Sequence, residues 1–162
     1  MIPKKLTSNS HIRVIAPSRS LNLISDENIK AAEDRLGELG FTLSYGKHVR
    51  ESDIFTSASV EHRLYDLHEA FQDPAVDAIF TVIGGFNVNQ LLRHIDYDLI
   101  KNNPKILCGY SDITALSNAI YAKTDLITYS GPHFSTFAIK YGLEYTIEYM
   151  NKCLLSDDPF DI

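Results

Sequence analysis

A serine stands where a buried strand is expected to give way to an amphipathic helix. The segment Gly109-Tyr110-Ser111-Asp112 follows the apolar strand predicted at 105–108 and precedes apolar residues at helical spacing. A sharp strand-to-helix turn of this kind, a nucleophile elbow, holds a serine hydroxyl out at the head of a sheet. Amides at the helix start, chiefly that of Asp112, would point toward a developing oxyanion. Because Ile113 replaces the second glycine of GxSxG, a simple helix-capping role for Ser111 or Asp112 stays open.

A second candidate segment, Gly84-Gly85-Phe86-Asn87, follows an apolar run rich in β-branched residues. Because its glycines carry no side chain, this segment could come close to a substrate, with Gly84, Phe86 and Asn87 as binding residues. Gly85 could supply a second amide to an oxyanion hole. A phosphate-binding loop is the rival interpretation, although neither GxGxxG nor GxxxxGK[ST] is present. A tight turn that uses the free φ of glycine is the third interpretation.

A serine nucleophile needs a base, and the six histidines offer few candidates for it. His133, which follows Gly131-Pro132 at a predicted strand end, is the one expected near the same crevice. His62 and His68 belong to a predicted helix and are expected to face solvent. Since no metal-ligand spacing such as HExxH is present, we expect neither a metal nor a cofactor.

Short strands that alternate with amphipathic helices should position these segments. Strands are predicted at 11–16, 41–44, 76–83, 105–108 and 126–129, and helices after Ser25, after Ser59, near 87–93, after Asp112 and over 144–155. This alternation predicts a doubly wound, mostly parallel α/β sheet with helices on both faces. Ligands bind such sheets outside the carboxyl ends of the strands. Ala16-Pro17-Ser18, the glycine pair and the Ser111 turn should therefore meet at one crevice.

Length and composition are those of one soluble globular domain. The 162 residues carry 15 Lys plus Arg against 21 Asp plus Glu, and the absence of a basic stripe argues against nucleic acid as a partner. No apolar stretch reaches the roughly 20 residues of a membrane span, and the first ten residues lack the apolar core of an export signal. Cys108 and Cys153 lie outside any CxxC pattern, so we expect reduced thiols and a cytoplasmic protein.

An ordered set of motifs across nearly the whole chain resembles the LD-carboxypeptidase family of serine peptidases. The motifs are Val14-Ile15-Ala16-Pro17-Ser18, Asp73-Pro74, Ala78-Ile79, Ile83-Gly84-Gly85-Phe86-Asn87, Leu91-Leu92, Asp96-Tyr97, Asn103-Pro104-Lys105, Gly109-Tyr110-Ser111-Asp112-Ile113-Thr114-Ala115-Leu116 and Gly131-Pro132. The glycine segment looks more like the microcin C self-immunity branch than the murein branch, which tends to carry an Arg before the glycines. The resemblance implies a flavodoxin-like or class I glutamine amidotransferase-like fold.

The resemblance also implies roles for particular residues. Ser111 would be the nucleophile, and the amides of Asp112 and Gly85 would form the oxyanion hole. In this family a Glu-His pair from a carboxyl-terminal domain completes the triad, and that domain should begin near the end of this chain. We therefore expect an amino-terminal domain over 1–155 and the start of an interdomain connection over 156–162. Without the triad partners, the chain alone should hydrolyse little.

The function that the resemblance implies is that of a cofactor-free serine carboxypeptidase, homodimeric in its full-length form. It would hydrolyse a carboxyl-terminal amide of a microcin C-type aminoacyl-nucleotide or, second, of a murein L,D-peptide. Asn87 and Asn89 could hydrogen-bond such a polar substrate. Other classes stay open: a noncatalytic α/β module that binds a small nucleotide or peptide, a short protein that is self-sufficient in catalysis, and a structural domain that dimerises.

Overall fold

The computed structural model describes residues 1–160 and contains a four-stranded sheet with helices on both faces. The strands are β1 (His11–Ile15), β2 (Thr42–Tyr45), β3 (Ala78–Thr81) and β4 (Ile106–Cys108). The helices are α1 (Asp26–Glu38), α2 (Val60–Gln72), α3 (Tyr97–Asn102), α4 (Ile113–Thr124) and α5 (Glu144–Leu155). The strands pair in the order β2-β1-β3-β4, and every pair is parallel. The predicted doubly wound α/β fold is confirmed.

The central strand β3 and its neighbour β4 are fully buried, which explains why their sequences are nearly continuous apolar runs. Alternate residues of a strand point to opposite faces. In β3, Ala78 and Phe80 belong to one core with residues of α1 and α5, whereas Ile79 belongs to a second core with residues of α2, α3 and α4. The loops at the carboxyl ends of the strands are left to form a ligand site.

Helices α1 and α2 begin at serine caps, and α1 ends before a glycine, as the sequence predicts. The hydroxyls of Ser25 and Ser59 accept hydrogen bonds from the amides of Asn28 and His62, at 3.3 and 3.1 Å. Gly40 has a φ of 92°, a left-handed conformation that favours glycine, and it follows α1. The predicted starts of α1 and α2 and the stop after α1 are confirmed.

The predicted strand at 126–129 is wrong. Of these residues, Tyr129 alone pairs with the sheet, through a single parallel bridge to Cys108. The Ile127 amide donates to the carbonyl of Met1, which lies outside the sheet. Residues 126–128 therefore make no further backbone pairs with β4. A short apolar run does not reveal such a long-range partner.

The predicted helix near 87–93 is two 3₁₀ turns, Val88–Gln90 and Leu92–His94. Its first amides donate to the carboxylate of Asp112, and a longer α-helix does not form. Helix α3 was not predicted, because its six residues are too few to show helical periodicity. No helix in residues 1–160 is long and apolar enough to cross a bilayer.

Candidate active site

Ser111 occupies the turn between β4 and α4. Its φ of 61° lies in the left-handed region, where a non-glycine residue carries a strain of about 1–3 kcal/mol. The residue is exposed at the carboxyl end of the strand, and its hydroxyl makes no hydrogen bond within residues 1–160. A strained, exposed serine between a buried strand and a helix has the backbone arrangement of a nucleophile elbow.

Helix capping does not explain this segment. Asp112 immediately precedes α4, yet its side chain caps none of the helix amides. The amide of Thr114 donates to the backbone carbonyl of Ser111 at 3.0 Å, and not to its hydroxyl. The interpretation of Ser111 or Asp112 as a side-chain cap is therefore wrong, and both side chains are available for other roles.

The carboxylate of Asp112 joins three loops. Its Oδ2 accepts hydrogen bonds from Ser18 Oγ at 2.6 Å and from the amides of Asn87 and Val88 at 3.0 Å each. Ser18 follows β1, Asn87 follows β3 and Asp112 follows β4. The predicted meeting of these three loops is confirmed. The sequence analysis used only the backbone amide of Asp112 and missed this bridging role of its side chain.

Close approach, and not backbone conformation, requires glycine at positions 84 and 85. Neither residue has a positive φ, so the interpretation that relied on the free φ of glycine is wrong. A Cβ on Gly84 would lie 2.9 Å from Cβ and 3.0 Å from Oγ of Ser111. A Cβ on Gly85 would lie 2.2 Å from Oγ of Ser18. The bare backbone of Gly84 forms a wall against the Ser111 side chain.

Two backbone amides, one of them beside this wall, have no hydrogen-bond partner in the described chain. The position of a Cβ on Gly84 is 3.6 Å from the amide nitrogen of Asp112. Within residues 1–160, no hydrogen bond uses the amide of Asp112 or that of Gly85. Unpaired amides close to a serine hydroxyl are the groups that stabilise a developing oxyanion.

Two side chains that the sequence analysis did not select hold the Asn87 loop in place. Arg63 of α2 is only 3% exposed and donates to the carbonyls of Pro17 at 3.1 Å and Asn87 at 3.3 Å. Ser57 Oγ accepts a hydrogen bond from Asn87 Nδ2 at 2.7 Å. Burial lowers the pKa of Arg63. The one available signal was a basic residue on the apolar face of α2.

A cavity of about 360 Å³ lies beside these residues. Arg63, Phe86, Asn87 and Asn89 are among its lining residues, and Phe86 is 63% exposed. The cavity offers a ligand the exposed ring of Phe86 and the exposed amide of Asn89. These are suitable contacts for a small polar ligand with an aromatic part. Asn87 is only 5% exposed and its side chain is hydrogen-bonded to Ser18 and Ser57, so the expectation that this side chain binds a substrate is wrong.

His133 lies beside the Ser111 turn, but the structure does not place it as the base. Its Nδ1 hydrogen-bonds with Thr81 Oγ1 at 2.8 Å, and its ring lies 4.3 Å from that of Tyr110. Burial lowers the pKa of His133 to about 4, so the ring is neutral at pH 7. No hydrogen bond joins His133 to Ser111 in the described chain.

Other side chains differ in part from expectation. His62 and His68 do not simply face solvent, since both are partly buried, and His68 Nε2 accepts a hydrogen bond from the amide of Asp96 at 3.0 Å.

Both cysteines are free, as expected. Cys108 is buried, and this burial raises its pKa to about 12, whereas Cys153 is only partly buried.

Residues 12–131 match the family model of the LD-carboxypeptidase N-terminal domain. The chain belongs to the LD-carboxypeptidase family. This LD-carboxypeptidase domain is 55% identical over 162 residues to YocD of Bacillus subtilis, whose name assigns it to the carboxypeptidases. The match covers 100% of this chain and 50% of YocD. It is 46% identical over 93 residues to the microcin C7 self-immunity protein MccF of Escherichia coli, covering 57% of this chain and 27% of MccF.

Solved structures show the same LD-carboxypeptidase fold. An MccF-like protein from Bacillus anthracis superposes with a TM-score of 0.95 at 57% identity, over 96% of this chain and 47% of that protein. MccF superposes with a TM-score of 0.92 at 33% identity, over 98% of this chain and 48% of MccF. The chain thus spans about half the length of the relatives it matches.

Proposed function

We propose that this domain supplies the nucleophile of a serine carboxypeptidase, with Ser111 attacking an amide carbonyl at the carboxyl terminus of its substrate. The observation that carries the proposal is the left-handed, exposed Ser111 at the end of β4, held against the backbone of Gly84. One solved MccF structure is an active-site variant in which a serine, an asparagine and a lysine are replaced by alanine. An active-site serine in that relative supports the assignment.

The proposed reaction uses the unpaired amides beside Ser111. Attack by Oγ on the carbonyl carbon forms a tetrahedral intermediate, whose oxyanion accepts hydrogen bonds from the amides of Asp112 and Gly85. Cleavage of the C–N bond releases the amine and leaves an acyl-enzyme, which water hydrolyses. The Ser111 proton must pass to a base, and His133 is bonded to Thr81 instead. The absence of a hydrogen bond between His133 and Ser111 within residues 1–160 supports a base from outside these residues.

We propose that the base belongs to a second domain. Residues 1–155 would be the nucleophile-bearing domain, and residues 156–162 would start the connection to a domain that carries a Glu-His pair. Asp161 and Ile162 of this connection lie outside the described residues. The chain covers 50% of YocD and 47% of the Bacillus anthracis protein, which supports this division. The free thiols of Cys108 and Cys153 fit a cytoplasmic location.

The proposed substrate is a microcin C-type aminoacyl-nucleotide, with a murein L,D-peptide as the second choice. MccF has been solved with aspartyl sulfamoyl adenosine, and its sequence is 46% identical to this chain over 93 residues. The exposed ring of Phe86 offers a stacking surface to the nucleobase of a nucleotide, and Asn89 lies exposed in the same cavity. These contacts suit a nucleotide better than a short aliphatic peptide.

Aspartyl sulfamoyl adenosine is expected to raise the thermal midpoint of the chain more than a murein tetrapeptide does. At ten times its dissociation constant, a ligand stabilises a protein by about 1.4 kcal/mol, or roughly 3–6 °C for a domain of this size. Thermal unfolding with each compound measures the difference. Asn89→Ala should reduce the shift, and Asn118→Ala, an exposed change on α4, should not. A larger shift from the tetrapeptide would make murein the substrate, and no shift from either would contradict ligand binding at this crevice.

A further inference from the structure

Two histidines and a glutamate meet next to the start of α2. Glu51 Oε1 lies 2.7 Å from Nδ1 of His48, and Glu51 Oε2 lies 2.5 Å from Nδ1 of His62. The two imidazole rings are stacked, with centroids 3.9 Å apart and planes inclined by 15°. One ligand atom from each residue lies within 4.8 Å of the other two. None of the three takes part in the hydrogen bonds around Ser111.

We propose that His48, Glu51 and His62 form a binding site for one divalent transition-metal ion, with Zn²⁺ as the best fit. Two imidazole nitrogens and one carboxylate oxygen are a donor set that zinc accepts, with water in a fourth position. A tetrahedral zinc ion with bonds of about 2.0–2.1 Å separates its ligand atoms by roughly 3.3 Å. Because the two histidines contact different oxygens of Glu51, rotation of its carboxylate must bring one oxygen to about 3.3 Å from both Nδ1 atoms.

The surroundings of the cluster favour a metal ligand set over isolated surface groups. His48 is only 9% exposed, and its backbone amide donates to the carboxylate of Asp66 at 2.9 Å, which fixes the residue in place.

A metal ion here would tie the segment 46–59 to α2. The segment contributes His48 and Glu51, whereas the helix contributes His62. The same segment carries Ser57, whose hydroxyl accepts the hydrogen bond from Asn87 beside the Ser111 crevice. Binding should therefore stabilise one wall of that crevice without a metal contact to the reacting groups.

Calorimetric titration of the metal-free 162-residue chain with Zn²⁺ tests the site. We expect saturation at one equivalent and a higher thermal midpoint of unfolding. Glu51→Gln and His62→Asn should each weaken binding by at least roughly tenfold. Both residues are at least partly exposed, so both variants should fold. Circular dichroism of the metal-free variants checks this.

Two control variants separate this site from other zinc ligands. His94→Asn changes an exposed histidine outside the cluster, and Cys153→Ser removes the partly buried thiol. Both should bind Zn²⁺ as the parent chain does. Absence of saturable binding would overturn the proposal and leave the three residues as a hydrogen-bonded cluster. Unchanged affinity in both Glu51→Gln and His62→Asn would also overturn it, as would loss of binding in Cys153→Ser alone.

Discussion

The Ser111→Ala variant is expected to lose nearly all hydrolysis in a protein that joins this domain to the proposed Glu-His domain. Without Oγ no acyl-enzyme forms, and removal of a serine nucleophile lowers kcat by roughly 10⁴-fold to 10⁶-fold. The change should leave stability almost unaltered, because the hydroxyl is exposed and makes no hydrogen bond within residues 1–160. Steady-state hydrolysis of the substrate with the higher affinity measures the effect.

Ser8→Ala is the matched control for that variant, since Ser8 is exposed and lies before β1. It should retain the parent rate. A Ser111→Ala variant with more than about a tenth of the parent activity would contradict a nucleophilic serine, because binding and the oxyanion hole alone supply far less.

The Gly84→Ala variant is expected to lower the reactivity of Ser111 by roughly 100-fold or more, although the new group is a single methyl. Its Cβ would lie 2.9 Å from Cβ and 3.0 Å from Oγ of Ser111, so the serine must move away from its position beside the amide of Asp112. The φ of Gly84 is not positive, so steric contact and not backbone strain causes the loss. The rate at which a serine-directed fluorophosphonate labels Ser111 in the protein extended by the proposed Glu-His domain reports the loss.

Gly37→Ala provides a control of the same chemical change. A Cβ on Gly37 meets no atom within 4 Å, and the residue lies inside α1. Alanine should increase helix stability there by about 1 kcal/mol and leave the labelling rate unchanged. If Gly84→Ala folds normally and labels at the parent rate, then the backbone of Gly84 is not the wall that positions Ser111.

Much of the fold could be predicted from local signals. The apolar runs of β1, β3 and β4, with helices between them, indicated a parallel sheet covered on both faces. The meeting of the Ser18, Gly84 and Ser111 segments followed from the rule that the carboxyl ends of parallel strands share one edge. The turn at Ser111 could be located because a glycine and a helix start flank it.

The remainder depends on contacts between distant parts of the chain, which leave no local pattern. The Asp112 carboxylate bridges β1 and β3 loops that are 94 and 25 residues away in sequence. The position of Arg63 on the apolar face of α2 gave a signal, but its hydrogen bonds to the carbonyls of Pro17 and Asn87 depend on the fold. The cluster of His48, Glu51 and His62 likewise has no motif spacing, because a loop and a helix contribute its members separately.

Intact-mass spectrometry after fluorophosphonate treatment tests the central claim most directly. Two samples are compared: this chain, and a version extended by any native sequence that follows it, with peptide mapping to locate the adduct. The account predicts a single adduct on Ser111 in the extended form and none on the short chain, whose described residues supply no base to Ser111. A folded extended form with no adduct, or with its adduct on another residue, would contradict Ser111 as the nucleophile.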